Sequence, residues 1–221
     1  MFEVKILAFA DFHGDERAFG RAKQKIAVER PELLIVAGDI ANYNLEAAKR
    51  LLIDLSRVGG PIYFVPGNMD NIELGVWTGA KKVHALHGRC QHWENVDLIG
   101  LGGSPHGPFS TPFEYSEEEA TDLLENAMRD HLGGHLILVS HCPPKGTKID
   151  RVFSGVHAGS SSVRRFVEKV QPALVVSGHI HEAQGVDTIG SSNLVNTGPA
   201  HRGSYAQLTL ENVVRVSFAK L

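Results

Sequence analysis

Six short apolar runs, rich in Val, Ile and Leu, restrict the folds open to this chain. They cover residues 4–10, 33–37, 61–65, 96–101, 136–139 and 173–176. Runs of this length with no alternating polar residues suit strands covered on both faces. Helical patterns lie between them. Residues 15–29 carry Ala18, Ala22 and Ile26 at helical spacing, and residues 45–58 put Leu45, Ala48, Leu51, Leu52 and Leu55 on one face. Residues 116–131 open with Ser116 and three glutamates, a capped first turn, and residues 160–170 open on serines and stop before Pro172. Strand–helix alternation implies parallel strands with helical crossovers. The C-terminal stretch differs, with short strands at 183–189, 193–196, 204–210 and 213–218 and Glu211-Asn212 as a hairpin turn. The expected class is mixed α/β: a two-sheet sandwich flanked by helices, with an antiparallel tail. No repeat or linker divides the chain, so one domain over 1–221 is expected.

Composition narrows the function classes. With 221 residues, 43% hydrophobic and 21% charged, the chain can bury a substantial core and is not globally disordered. A formal net charge of −3 offers no electrostatic argument for a nucleic-acid binder. Two cysteines, Cys90 and Cys142, are too few for a disulfide framework and point to a reducing compartment, with a cytoplasmic location expected. The first apolar run ends at Asp11 without a signal-peptide pattern, and none approaches the roughly 20 residues of a bilayer span, so no membrane association is expected.

The residues after each run are more specific. Asp11 and His13 follow the first run, and Gly38-Asp39 the second. Gly67-Asn68-Met69-Asp70 follows the third, Ser140-His141 the fifth and Gly178-His179-Ile180-His181 the sixth. In parallel sheets the carboxyl ends of the strands form one rim, where ligands bind. Asp11, His13, Asp39, Asn68, His141, His179 and His181 can therefore converge although they are scattered in sequence. Carboxylate, amide oxygen and imidazole donors suit borderline divalent ions. Seven donors exceed what one ion needs, and a pair of ions sharing a carboxylate is the natural arrangement.

In this order, Asp-x-His, Gly-Asp, Gly-Asn-x-Asp, Ser-His and Gly-His-x-His resemble the calcineurin-like metallophosphoesterase family, over residues 11–181. The resemblance implies a four-layer αββα sandwich of two mixed β-sheets. It also implies two divalent ions, manganese first, with iron, nickel or zinc as alternatives. Asp11, His13 and His181 would hold one ion, Asn68, His141 and His179 the other, and Asp39 would bridge them. A hydroxide between the ions would attack phosphorus, and Asp70 would orient the Asn68 loop. Asn196-Thr197-Gly198-Pro199 resembles a supporting segment under the site.

Two positions depart from the family. Met69 stands where a histidine usually sits near the scissile phosphate, and Asn42 replaces a carboxylate. A thioether cannot protonate a leaving group. That loss matters least for stable leaving anions, so small or activated phosphodiesters are the expected substrates. His106, His157 and His201 are candidate substitute acids. Cys142 and Met69 are expected to be buried filler, Phe109, Thr111 and Phe113 packing, and Asn42 a substrate contact. The Gly- and Pro-rich loop 102–112 reads equally as functional or as a plain crossover. Two rival functions stay open: a catalytically weak scaffold, as in the retromer subunit built on this fold, and a nuclease. Nucleic acid is not favoured as a partner, and self-association into a homo-oligomer is left open.

Overall fold

Alternate residues of the buried strands feed different cores, and this divides the protein into layers. The computed structural model describes residues 3–211 and 213–221. In chain order the first half contains β1 (Val4–Phe9), α1 (Glu16–Glu29), β2 (Leu33–Ala37), α2 (Leu45–Ser56), β3 (Ile62–Val65), α3 (Glu73–Val76), β4 (Val83–Ala85), β5 (Cys90–Trp93) and β6 (Val96–Leu101). Then follow β7 (Ser104–Pro105), β8 (Glu114–Tyr115), α4 (Glu117–Met128), β9 (His135–Ser140), α5 (Ser161–Val170), β10 (Leu174–Ser177), β11 (Gly185–Ile189), β12 (Ser192–Asn196), β13 (Ser204–Leu210) and β14 (Arg215–Lys220).

One six-stranded sheet has the order β14-β13-β1-β2-β3-β4, and the other β11-β12-β10-β9-β6-β5. In β1 and β2, Leu7, Phe9, Leu34 and Val36 pack towards α1 and α2, while Ile6, Ala8, Leu33 and Ile35 face the second sheet. In β9, Ile137 and Val139 join that inter-sheet core, while Leu136 and Leu138 pack with Leu124 of α4 and Val163 of α5. A side-chain period of two thus places helices outside both sheets. The four-layer αββα sandwich is the observed architecture. No helix among the described residues is long and apolar enough to cross a membrane.

The six apolar runs all form strands. The tail departs from expectation. β12 runs parallel to β10 and only its partner β11 is antiparallel to it, whereas β13 crosses to the other sheet and runs antiparallel to β1. The tail therefore finishes both sheets instead of forming one antiparallel unit. β13 and β14 pair antiparallel as a hairpin requires, but Asn212 of the expected turn lies outside the described residues.

Helix starts follow capping chemistry. Asp15 accepts from the Arg17 and Ala18 amides, Asn44 from Ala47, and Ser116 forms a reciprocal capping box with Glu119. Glu117 links two helices: its carboxylate accepts from the Ser161 and Ser162 amides and the Ser160 hydroxyl, all at 2.8 Å. Burial opposes ionisation of Glu117, but these donors outweigh it and hold its pKa below 4.5. Its stabilisation is present above that value and is lost as pH falls through the lowered folded pKa. Glu117→Gln is expected to cost about 1 kcal/mol at pH 7. Denaturant titrations of both proteins should converge as pH drops below 4.5.

Candidate metal centre

The carboxyl ends of β1, β2, β3, β9 and β10 deliver all seven predicted donors to one rim. Several of them reach it through backbone that side chains rarely adopt. Asp11, His13, Asp39 and His179 have φ of 56°, 52°, 51° and 65°. Gly38, at φ 91°, precedes Asp39, and a Cβ there would collide with the His141 ring and Gly67 Cα. A Cβ on Gly67 would run into Asp39 itself. The two glycines are required because the loops after β2 and β3 approach at backbone contact.

At this rim two sets of donor atoms cluster, Asp11, His13 and His181, and Asp11, Asp39 and His141. Within each set all atoms lie within 4.8 Å of one another. Asp39 faces both ways. Its Oδ2 lies 3.7 Å from His13 Nε2 and its Oδ1 3.6 Å from His141 Nε2. Asn68 Oδ1 is 2.9 Å from His141 Nε2, and His181 Nε2 is 3.6 Å from Asp11 Oδ1 and 3.3 Å from His13 Nε2. The His141 and His179 rings meet edge-on at 5.0 Å.

Outer contacts aim these donors. His141 Nδ1 donates to the Ala37 carbonyl at 2.7 Å, which leaves Nε2 for the site. His13 Nδ1 does the same to Asn42 Oδ1 at 2.8 Å. Such contacts set the tautomer and direct the free nitrogen. Asn42 thus orients His13. Asp11 accepts from the His179 amide at 3.1 Å. Asn196 donates to the Gly178 and Ile180 carbonyls at 3.2 and 3.0 Å, supporting the turn that carries both histidines.

Asp70 accepts from the Gly67, Ile40 and Ala41 amides at 2.8, 2.9 and 3.0 Å. It ties the loop after β3 to the loop after β2 from below.

The electrostatics are those of a crowded anionic pocket. Burial, then Asp70 and Asp11, push Asp39 well above the usual carboxylate range. Burial likewise raises Asp70. Burial also disfavours the ionised form of Asp11, but the His181 hydrogen bond and nearby histidines outweigh it and lower its pKa. Burial, reinforced by His141, drives His179 down to about 3. Neutral imidazole is the form that can ligate a cation. Carboxylate oxygens, an amide oxygen and aimed imidazole nitrogens fit divalent metal ions.

His201 was named in the sequence only as a spare acid, but it packs against the centre. Its ring lies 5.1 Å from that of His13 and 5.2 Å from that of His181, and its Nδ1 donates to the Asp11 carbonyl at 2.8 Å. Only its place after the Asn196-Thr197-Gly198-Pro199 segment could have signalled this.

A cleft of about 580 Å³ opens beside Asn68 and His179, walled by His106, Phe109, Lys145 and His157. The loop 102–112 forms one side of it, which favours the functional reading of that loop. Phe113 is buried as expected, but Phe109 is 86% exposed and is not packing. Cys142 is fully buried, its thiol pushed up by burial, consistent with filler.

The family profile of calcineurin-like phosphoesterases matches residues 4–183. An uncharacterized protein of Methanocaldococcus jannaschii, MJ1162, is 33% identical over 204 residues, covering 89% of this chain and 88% of its own. A probable cyclic nucleotide phosphodiesterase of Pseudoalteromonas, PSM_A2567, is 27% identical over 74% of this chain and 61% of its own. Among solved structures, TT1561 of Thermus thermophilus shares the fold at a TM-score of 0.75 and 19% identity, with 99% of both chains covered. The chain belongs to the calcineurin-like phosphoesterases. It is a metal-dependent phosphoesterase in its class.

Asp70→Asn leaves one acceptor oxygen for three buried amides. We expect a loss of about 2 kcal/mol in denaturant unfolding, since buried hydrogen bonds to charged groups are worth roughly that much. Divalent-metal affinity, measured by calorimetry, should fall with it.

Proposed function

We propose that the chain hydrolyses phosphodiesters at a two-ion centre. Asp11, His13 and His181 hold one ion, Asn68, His141 and His179 the other, and Asp39 lies between them. The observation that carries this reading is the Asp39 carboxylate, which presents one oxygen towards His13 and the other towards His141. When bound, the ions supply an activated water oxygen at neutral pH and positive charge against the phosphoryl oxygens.

The chain's own residues do the rest. Asn42 and the Ala37 carbonyl keep His13 and His141 in the ligating tautomer. Asp70 fixes the two loops that carry Asp39 and Asn68. Lys145 on the cleft wall complements a phosphoryl anion, and the cleft volume suits a small substrate. Met69 removes the family's usual proton donor, which favours diesters with stable leaving groups. Similarity to the probable cyclic nucleotide phosphodiesterase of Pseudoalteromonas supports the diester class. The net charge of −3 weighs against a polyanionic nucleic-acid substrate.

With manganese present, bis(p-nitrophenyl) phosphate should be cleaved with higher kcat/KM than p-nitrophenyl phosphate. The reverse order rejects the diester assignment. Asp39→Asn should lower the diester rate by more than about 100-fold, since even outer-shell losses cost 10- to 100-fold. A wild-type chain that binds metal yet turns over neither ester would be a scaffold instead.

A further inference from the structure

The centre described above has no proton donor at Met69, yet the cleft beside it carries an ordered carboxylate–imidazole pair. His157 Nδ1 lies 2.7 Å from Asp150 Oδ1. Asp150 is fully buried. Its carboxylate accepts from the Thr147, Gly146 and Gly159 amides at 2.8, 3.0 and 3.1 Å and from the Thr147 hydroxyl at 3.2 Å. Burial opposes its ionisation, but the His157 hydrogen bond and these amides keep its pKa lowered. Asp150 is therefore an ionised acceptor fixed in place, and His157 Nδ1–H donates to it.

The backbone fixes the ring as well. Arg151 and His157 form an antiparallel bridge, the Val152 amide donates to the Val156 carbonyl at 3.0 Å, and Ala158 donates to the Asp150 carbonyl at 3.0 Å. His157 sits at the end of this tight loop and lines the same cleft as Asn68 and His179. With Nδ1 occupied, Nε2 is the nitrogen left for a ligand.

The two other candidate donors are less suited. His106 is 67% exposed and its contact to Glu114 is 3.3 Å long. His201 packs against His13 and His181 and does not line the cleft.

We propose that His157, held by Asp150, protonates the departing oxygen of the substrate. The proposal rests on the phosphodiester reading. In the step, a water oxygen forms the new bond to phosphorus and gives its proton to solvent. The bond from phosphorus to the departing oxygen breaks, and its electron pair stays on that oxygen. That oxygen takes the proton from Nε2 of the protonated ring, which regains one from solvent. Diester and water become monoester and alcohol. Asp150 acts as a positioning residue, as a carboxylate does when it orients a general-acid histidine.

The test is a leaving-group series: aryl and alkyl phosphodiesters whose departing alcohols span nitrophenol to a simple alkanol, assayed with manganese. His157→Gln should lower kcat/KM about 10²- to 10⁴-fold at the alkyl end and far less at the nitrophenyl end, because acid catalysis matters most for a poor leaving group. The slope of log kcat/KM against leaving-group pKa therefore steepens. Asp150→Asn should steepen it in the same sense, whereas His106→Gln should leave the slope as in wild type. A parallel shift or no shift in His157→Gln removes His157 from the role and leaves the diester reading intact, as does a steeper slope in His106→Gln alone. A wild type that cleaves no member of the series overturns both. A readout independent of turnover comes from imidazole nitrogen NMR of the metal-free protein. It should show a His157 Nδ1–H that shifts in Asp150→Asn, and an unprotonated Nδ1 would overturn the assignment.

Discussion

Three buried carboxylates that repel one another, Asp11, Asp39 and Asp70, are the constraint on which the rest of this structure depends. Burial and like charge oppose the ionised forms. The fold answers in two ways. Asp70 is satisfied by three backbone amides, and Asp11 by an amide and by histidines. Among the described residues Asp39 accepts a hydrogen bond only from the Met69 amide, and its pKa stays well above normal. Bound positive charge beside Asp39 would relieve that penalty, which is the electrostatic reason these donors suit a divalent cation.

The backbone carries the strain of assembling such a site. Residues in the left-handed region cost of order 1–3 kcal/mol each and persist only where the surroundings enforce them. Four predicted donors adopt it. The surrounding layers supply that enforcement: the inter-sheet core below, the glycine contact between the loops after β2 and β3, and the Asn196 and Asp70 hydrogen bonds. Sheet topology brings the donors together, and local strain turns them inward.

Much of this was legible in the sequence because parallel strands buried on both faces read as continuous apolar runs, and the residues after them must share a rim. Asp11, Asp39 and His141 needed no further information to be placed together. The rest depends on contacts that sequence does not encode locally. β4, β5, β7 and β8 have two to four residues each, too few for a periodic signal. β12 joins β10 in parallel because the tail is shared between the sheets. Asn42 turns to His13 across 29 residues, and His201 reaches Asp11 across 190. His157 stood in the sequence as one of three candidate acids, and only the Asp150 hydrogen bond and the cleft it shares with Asn68 set it apart.

The central claim is that Asp39 joins two ions into one centre. Electron paramagnetic resonance of the manganese-loaded protein tests it directly. A spin-coupled pair at two ions per chain, replaced by the spectrum of isolated ions in Asp39→Asn, is the predicted result. A single isolated ion, or two uncoupled ions in the wild type, would contradict the account.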